Sequence, residues 1–379
     1  PRGRFDVAKG GDYRDPGGRW RAADPGSPPM PTVTPDLIER EAALRAGGAM
    51  PRMRDLAAAL AVPEAALVEA RRTTGAAERL RPADAAGFGA LLARLPEAGE
   101  VMTLVRNETC VHELTGRAAP PDIDGPVGQF VGEIDLRLFL QHWRHGYRLD
   151  EDTRSGPRRS LQFFDAAGAA ILKVYATAAT DRGAFDRIAA DWAAPEAAAA
   201  EFAAPASRAA ARPDEAVDVA GLRAAWDALE MTHEFFQILR RFGVGREQAL
   251  RLAGPERARP VALPAIRQVL DGAAARGLPI MVFVSNPGCV QIHSGPIHRV
   301  EPVGAWLNVL DPRFNLHLRT DRVTGAWVVR KPSVNGAIHS LEIFDDAGEL
   351  ACQIFGHRPA GGLERDDWRA LVTGLGAAG

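Results

Sequence analysis

Three observations predict an α+β protein built by tandem duplication, with two large antiparallel sheets flanked by helices. First, the chain contains itself twice. MTLVRNETCVHELTG from Met102 matches MVFVSNPGCVQIHSG from Met281, so that Asn107 falls on Asn286, Cys110 on Cys289 and Gly116 on Gly295, each offset by 179. IDLRLFL from Ile134 matches LDPRFNL from Leu310 at an offset of 176, and SLQFFDAAG from Ser160 matches SLEIFDDAG from Ser340 at an offset of 180. A period this long marks a duplicated domain rather than a solenoid. Second, short β-branched runs are joined by tight turn signals, and strands joined by short turns pair antiparallel. Third, helix-forming Ala/Leu/Glu/Arg stretches bracket the strands of each copy instead of alternating with them.

Residues 1–35 are rich in Gly, Pro, Arg and Asp, lack apolar periodicity and read as a disordered tail, with Met30 a candidate native start. They lack the apolar core of a secretory signal. The N-terminal repeat spans residues 36–192. It opens with helices Leu37–Ala46, Arg52–Leu60 and Pro63–Arg72, continues with strands VMTLVRN, CVHELTG, FVGEIDLRLFL, SLQFFD and ILKVYA, and closes with helix Arg182–Trp192. Residues 193–218 are Ala- and Pro-rich and read as a linker. The C-terminal repeat, 219–379, has helices Val219–Phe242, Arg246–Ala253 and Pro264–Ala275. Strands PIMVFVSN, CVQIHSG, AWLNVLDPRFNLHL, AWVVRK, SLEIFD and LACQIFG follow, then helix Glu364–Leu375. Ala167-Gly168 and Ala347-Gly348 mark hairpin turns.

The 379 residues allow two or three domains at about 100–200 residues each, or one large duplicated unit. Lys and Arg total 46 against 48 Asp and Glu, a net charge of −2, which argues against a general nucleic-acid binder. No apolar run reaches the roughly 18 residues of a membrane span, so no membrane insertion is expected. The three cysteines, Cys110, Cys289 and Cys352, are far apart and form no C-x-x-C pair. Neither a disulfide framework nor a zinc knuckle is expected, and a reducing, cytoplasmic setting fits.

A duplication isolates chemistry present in one copy only. His112 stands opposite Gln291, His317 opposite Gln141 and His339 opposite Arg159, and all three read as ordinary strand histidines. His233 differs. Leu222, Trp226, Leu229, His233 and Phe236 recur at steps of 4, 3, 4 and 3, one face of a helix over Leu222–Phe242. Two readings fit: a buried histidine bonded to a backbone carbonyl, or an axial ligand of heme iron in an apolar slot. Arg106 ends a strand where the second copy has Ser285. It is either a solvated strand end or a donor to a bound anion, water or oxygen ligand. Arg246, Arg330, Lys331 and Arg358 cluster at element ends, a pattern suited to carboxylate or phosphate capture. No G-x-G-x-x-G run follows a strand, so no nicotinamide or flavin fingerprint is present.

EFFQILRRFGVGREQAL after Thr232-His233, NVLDPRFNLHLR, WVVRKP and SLEIFDDAG resemble the bacterial hemin-degrading factor family, the cytoplasmic heme-utilisation proteins of the HemS and ChuS type. RNETCVHELTG, IDLRLFLQHW and RRSLQFFDAAG resemble that family's first half, and the likeness covers about residues 36–375. The resemblance implies that heme b, ligand and substrate together, sits in a cleft between the halves. It implies His233 as the proximal iron ligand and Arg106 as the distal arginine. Arg246, Lys331 and Arg358 match basic pocket positions, Met281 and Phe283 apolar wall, and Gln353 polar wall. Two departures stand out: Cys352 occupies a place where some relatives have Tyr, and Phe236 a place where some have a second His.

Two roles follow from the resemblance. One is ring opening and iron release, with Arg106 stabilising an oxygen-derived anion and electrons from an external donor. The other is a carrier that takes heme from an inner-membrane importer and passes it to a separate heme oxygenase. A heme-sensing regulator would need a partner-binding unit, for which only the tail is a candidate.

Overall fold

The computed structural model describes residues 36–46, 51–81, 85–153, 156–205, 212–359 and 362–377, so the tail expected over residues 1–35 lies outside it. Helices α1 (Leu37–Arg45), α2 (Met53–Leu60) and α3 (Glu64–Ala70) lead into β1 (Ala77–Leu80) and α4 (Ala85–Leu92). The strands β2 (Gly99–Arg106), β3 (Cys110–Arg117), β4 (Asp122–Asp124), β5 (Val127–Phe130), β6 (Leu136–Phe139), β7 (His145–Thr153), β8 (Gly156–Phe164) and β9 (Ala170–Thr180) follow, then α5 (Arg182–Asp191). The second half begins with α6 (Val219–Asp227), α7 (Phe235–Phe242), α8 (Arg246–Ala253), β10 (Ala258–Pro260) and α9 (Pro264–Arg276). It continues through β11 (Ile280–Asn286), β12 (Cys289–Gly295), β13 (Val300–Val303), β14 (Trp306–Leu310), β15 (Phe314–Arg319), β16 (Val323–Lys331), β17 (Ile338–Asp345) and β18 (Leu350–Gly356) to α10 (Asp366–Thr373). Among the described residues no helix is long and apolar enough to cross a membrane.

The strands form two nine-stranded antiparallel sheets, in the orders β1-β7-β8-β9-β2-β3-β15-β14-β13 and β10-β16-β17-β18-β11-β12-β6-β5-β4. Each sheet therefore takes three strands from the other half of the chain. Leu318 of β15 pairs with Cys110, and Leu138 of β6 pairs with Cys289. This places Leu138 and Leu318 at equivalent points, an offset of 180. The 176 of the middle sequence block is a likeness slipped by four residues, because alternating apolar strands resemble one another at every even shift. His317 accordingly corresponds to Arg137, not Gln141.

The helix expected over Val219–Phe242 is two helices. Trp226 and Phe235, nine residues apart, would lie about 180° apart on one continuous helix. Both are buried, with ring centroids 4.7 Å apart, so the chain breaks between them. The pair α6 and α7 then repeats α1 and α2 at an offset of 182, and α8 repeats α3. Ala61 ends α2 in the left-handed region at φ 54°, where Gly243 ends α7 at φ 63°. The counterpart of α9 is α4, which sequence periodicity had not marked.

The inner faces of the sheets meet in one core containing Val101, Val105, Cys110, Val282, Val284, Cys289 and Cys352. At its centre Gln291 donates to His112 Nδ1 (2.9 Å), and His112 Nε2 donates to the Val282 carbonyl (3.2 Å). Burial and the nearby His293 push His112 down to about 3, so it is a neutral structural residue.

Two asparagines lock the hairpins reciprocally. Asn107 Oδ1 accepts from the Thr109 and Cys110 amides (3.0 and 2.8 Å), while its Nδ2 donates to the Ser285 and Ala351 carbonyls (3.2 and 2.8 Å). Asn286 accepts from Gly288 and Cys289 (3.0 Å each) and donates to the Arg106 and Ile171 carbonyls (3.1 and 2.9 Å). Asn107→Ala removes these bonds, and a longer one to the Leu350 carbonyl (3.4 Å), leaving part-buried carbonyls without that donor. It is expected to lower unfolding free energy by about 2–4 kcal/mol, read as a fall in the urea midpoint.

Candidate functional site

Strand alternation gives each sheet an outer face, and the two outer faces differ in chemistry. On the second sheet, Met281, Phe283, Val290, Ile292, Phe355 and Phe139 project outward. Phe139, Val290 and Ile292 are buried in a small apolar strip against the half-buried Val127, Met281 and Phe283. Phe283 meets Phe355 edge to face at 5.2 Å. At the equivalent points of the first sheet stand Leu104 for Phe283, Glu113 for Ile292, Tyr175 for Phe355 and Arg319 for Phe139. Met102 and Val111 keep the apolar character of Met281 and Val290, so the two outer faces differ chiefly where Glu113 and Arg319 replace Ile292 and Phe139.

His233 lies in the turn that brings α7 onto the second sheet. Trp226, Leu229 and Phe235 bury on either side of that turn. The Glu234 carboxylate accepts from the Glu230 and Met231 amides (3.1 and 3.0 Å) and fixes a single turn of 3₁₀ helix over Thr232–Glu234. His233 is held half-buried rather than on a continuous apolar stripe. Its counterpart in the first half, 182 residues earlier, is Pro51.

Beside this turn three of the expected residues converge on one that sequence reasoning missed, Glu342 of β17. Arg246 is the first residue of α8. It grips the Glu342 carboxylate with Nε and one terminal nitrogen, at 2.7 and 2.9 Å. Lys331 Nζ and Gln353 Nε2 reach Glu342 Oε1 at 2.6 and 2.9 Å. The Arg246 guanidinium lies 5.1 Å from the Phe235 ring and 5.4 Å from Phe236, and Lys331 Nζ lies 4.5 Å from Phe235. Burial alone would raise the Glu342 carboxyl, but Arg246 and Lys331 outweigh it and hold the group far below the carboxylate range. Burial pushes the Lys331 ammonium down to about 8 against the pull of Glu342. The cluster leaves Arg246 Nη1 buried with no protein hydrogen bond.

The remaining expected residues lie elsewhere. Arg106 pairs with Glu64, the first residue of α3, which also binds Lys173. Glu64 is the counterpart of Arg246, and Lys173 that of Gln353, so the first half carries the same corner with its charges exchanged. Burial opposes ionisation of Glu64, yet Lys173 and Arg106 bring it down to about 2. Arg358 follows β18. Burial lowers its guanidinium pKa, and the neighbouring charge is Glu364. Met281 and Phe283 are half-buried against the apolar strip of Phe139, Val290 and Ile292.

A polar corner with an unpaired guanidinium nitrogen, an aromatic edge and a nearby histidine has the chemistry to take a largely apolar ligand carrying anionic groups. Comparison with known proteins gives that class its family. The haemin-degrading HemS.ChuX domain matches residues 61–192 and again residues 243–375. The hemin transport protein HemS of Yersinia enterocolitica is 39% identical over 327 residues, covering 85% of this chain and 92% of that protein. The crystal structure of holo-PhuS, a heme-binding protein from Pseudomonas aeruginosa, superposes with a TM-score of 0.86 at 42% identity, over 91% of this chain and all of that one. ChuS, an Escherichia coli heme oxygenase, gives 0.80 at 34% identity over 90% of this chain and 99% of that one. The chain belongs to the haemin-degrading HemS/ChuX family.

Glu342→Gln leaves Arg246 and Lys331 buried without their carboxylate and is expected to cost about 3–5 kcal/mol by urea unfolding at neutral pH. The variant should also lose part of the native acid sensitivity. Glu342 titrates below its ordinary 4.5 when folded, so its stabilisation is complete above that pH and is lost as pH falls beneath it. Unfolding midpoints between pH 5 and about 2.5 should therefore slope less steeply in the variant.

Proposed function

We propose that this protein binds heme on the outer face of its second sheet, against the α6–α8 layer, and serves heme-iron utilisation in the cytoplasm. The difference between the two duplicated outer faces carries this reading. Among the described residues, only the second combines a histidine at the α6–α7 turn with the apolar strip of Phe139, Val290 and Ile292. The first has Pro51 and Glu113 at the matching places. HemS, PhuS and ChuS, whose names join them to hemin transport, heme binding and heme oxygenation, support it.

The residues present fit a heme. His233 would ligate the iron through an imidazole nitrogen, Phe236, Met281 and Phe283 would pack on the ring, and Arg246 Nη1 would donate to a propionate carboxylate. Bound heme b supplies iron able to engage oxygen. Lys331 and Gln353 hold Glu342, and Glu342 orients Arg246, so the cationic donor is preorganised. Arg358 would meet a polar edge of the ligand.

For degradation, Arg106 is proposed as the distal donor, stabilising negative charge that develops during oxygen chemistry. The fold sets a condition on this role: Arg106 stands on the first sheet, on the same face as Leu104 and paired with Glu64, so it must leave Glu64 and reach toward a ligand held on the second sheet. Electrons would come from an external donor. The ion pair to Glu64 equally favours a second reading, in which Arg106 stays neutralised and the protein carries heme from an importer to a separate heme oxygenase.

His233→Ala is expected to change the absorption spectrum of the hemin complex while the far-UV circular dichroism stays native. An unchanged hemin spectrum would remove His233 as ligand. Arg106→Ala separates the two roles. With a reductant, air and catalase, the enzyme reading expects turnover per bound heme to fall about 100–1,000-fold with His233 ligation retained. Equal turnover would assign Arg106 to positioning and favour the carrier.

A further inference from the structure

Two of the three cysteines are placed to be joined. Cys110 opens β3 on the first sheet and Cys352 lies in β18 on the second, and both are at most 1% exposed in the shared core. The Asn107 amide connects their backbones: its oxygen accepts from the Cys110 amide at 2.8 Å, and its nitrogen donates to the carbonyl of Ala351, the residue before Cys352, at 2.8 Å. Thr109 Oγ1 adds a bond of 2.9 Å to Asp345, at the end of β17. Both side chains are buried in the one core between the sheets, near enough that Cys352 adds to the upward push on the Cys110 thiol. The duplication removes the partner in the other copy. Asn286 holds Cys289 and the Ile171 carbonyl in the same way, at 3.0 and 2.9 Å, but the residue after Ile171 is Leu172.

We propose that Cys110 and Cys352 are an oxidation site that closes into a disulfide between the two sheets. One thiol is oxidised by a hydroperoxide to a sulfenic acid, releasing water when the oxidant is hydrogen peroxide. The second sulfur then displaces the hydroxyl as a second water, and the S–S bond forms while two thiol hydrogens leave. Burial pushes the Cys110 thiol well above the ordinary range, so reaction there waits on opening of the β2–β3 hairpin. Closure would fasten that hairpin, which carries Arg106, to β18, which carries Gln353. This last consequence rests on the proposed heme site, whereas the disulfide does not.

The test uses the full native chain without heme. After incubation with millimolar hydrogen peroxide, the protein is denatured, alkylated without reductant and weighed intact. Alkylatable thiols are expected to fall from three to one, and peptide mapping should find Cys110 linked to Cys352, with dithiothreitol restoring all three. In Cys289→Ser, whose cysteine lies outside the pair, the count should fall from two to none. Persistence of three thiols while dithionitrobenzoate reacts with all of them in denaturant would overturn the proposal. So would a cross-link through Cys289, or oxidation to sulfinic acid without a link. Hemin titration of the cross-linked and reduced forms then reports separately on the heme site.

Discussion

Neither half of this chain can finish its own sheet, and that constraint governs the molecule. Without β15, strand β3 would be an open edge of unpaired amides and carbonyls, and without β6 so would β12. The exchange of three strands each way puts the β2–β3 and β11–β12 hairpins at the centre. There Asn107, Asn286, His112 and Gln291 satisfy backbone groups of the opposite half. Both outer faces hang on this one frame, so residues more than a hundred positions apart are fixed relative to each other without relying on loops.

The same symmetry explains how one face could specialise. Packing on the inner face fixes the backbone, and outward side chains are free to differ. Ile292 and Glu113 occupy equivalent points on equivalent strands, yet one extends an apolar strip and the other is a half-buried carboxyl whose pKa is raised by burial. A duplicated scaffold therefore makes its own comparison: the hairpin asparagines Asn107 and Asn286 recur in both halves, while the outward side chains diverge.

What the sequence revealed follows from this physics. The Asn-x-x-Cys blocks were legible because an asparagine side chain builds each hairpin and tolerates little else. The antiparallel sheets were legible from alternation and short turns. The strand exchange was not, since a period of two shows which face is apolar but never which strand lies alongside. The break before His233 was hidden because Leu222, Trp226 and Leu229 hold helical spacing and the termination depends on burying Trp226 and Phe235 together. His233, Arg246, Lys331 and Gln353 were singled out by asymmetry and family likeness, and the last three meet at one carboxylate. Glu342, on which three of them depend, read as one more polar alternation in SLEIFD. Its counterpart Gln162 is also buried, and a comparison of the two would have exposed it.

The exchanged charges at the two corners also set each helix against, or with, its own backbone. The first-turn amides of a helix carry partial positive charge. Glu64 begins α3 and is favoured there by those amides. Arg246 begins α8, where the amides repel it, and Glu342 is the group that keeps it in place. An anion approaching Arg246 Nη1 thus meets guanidinium and helix end acting with one sign, whereas at the first corner the residue on the helix end is itself an anion.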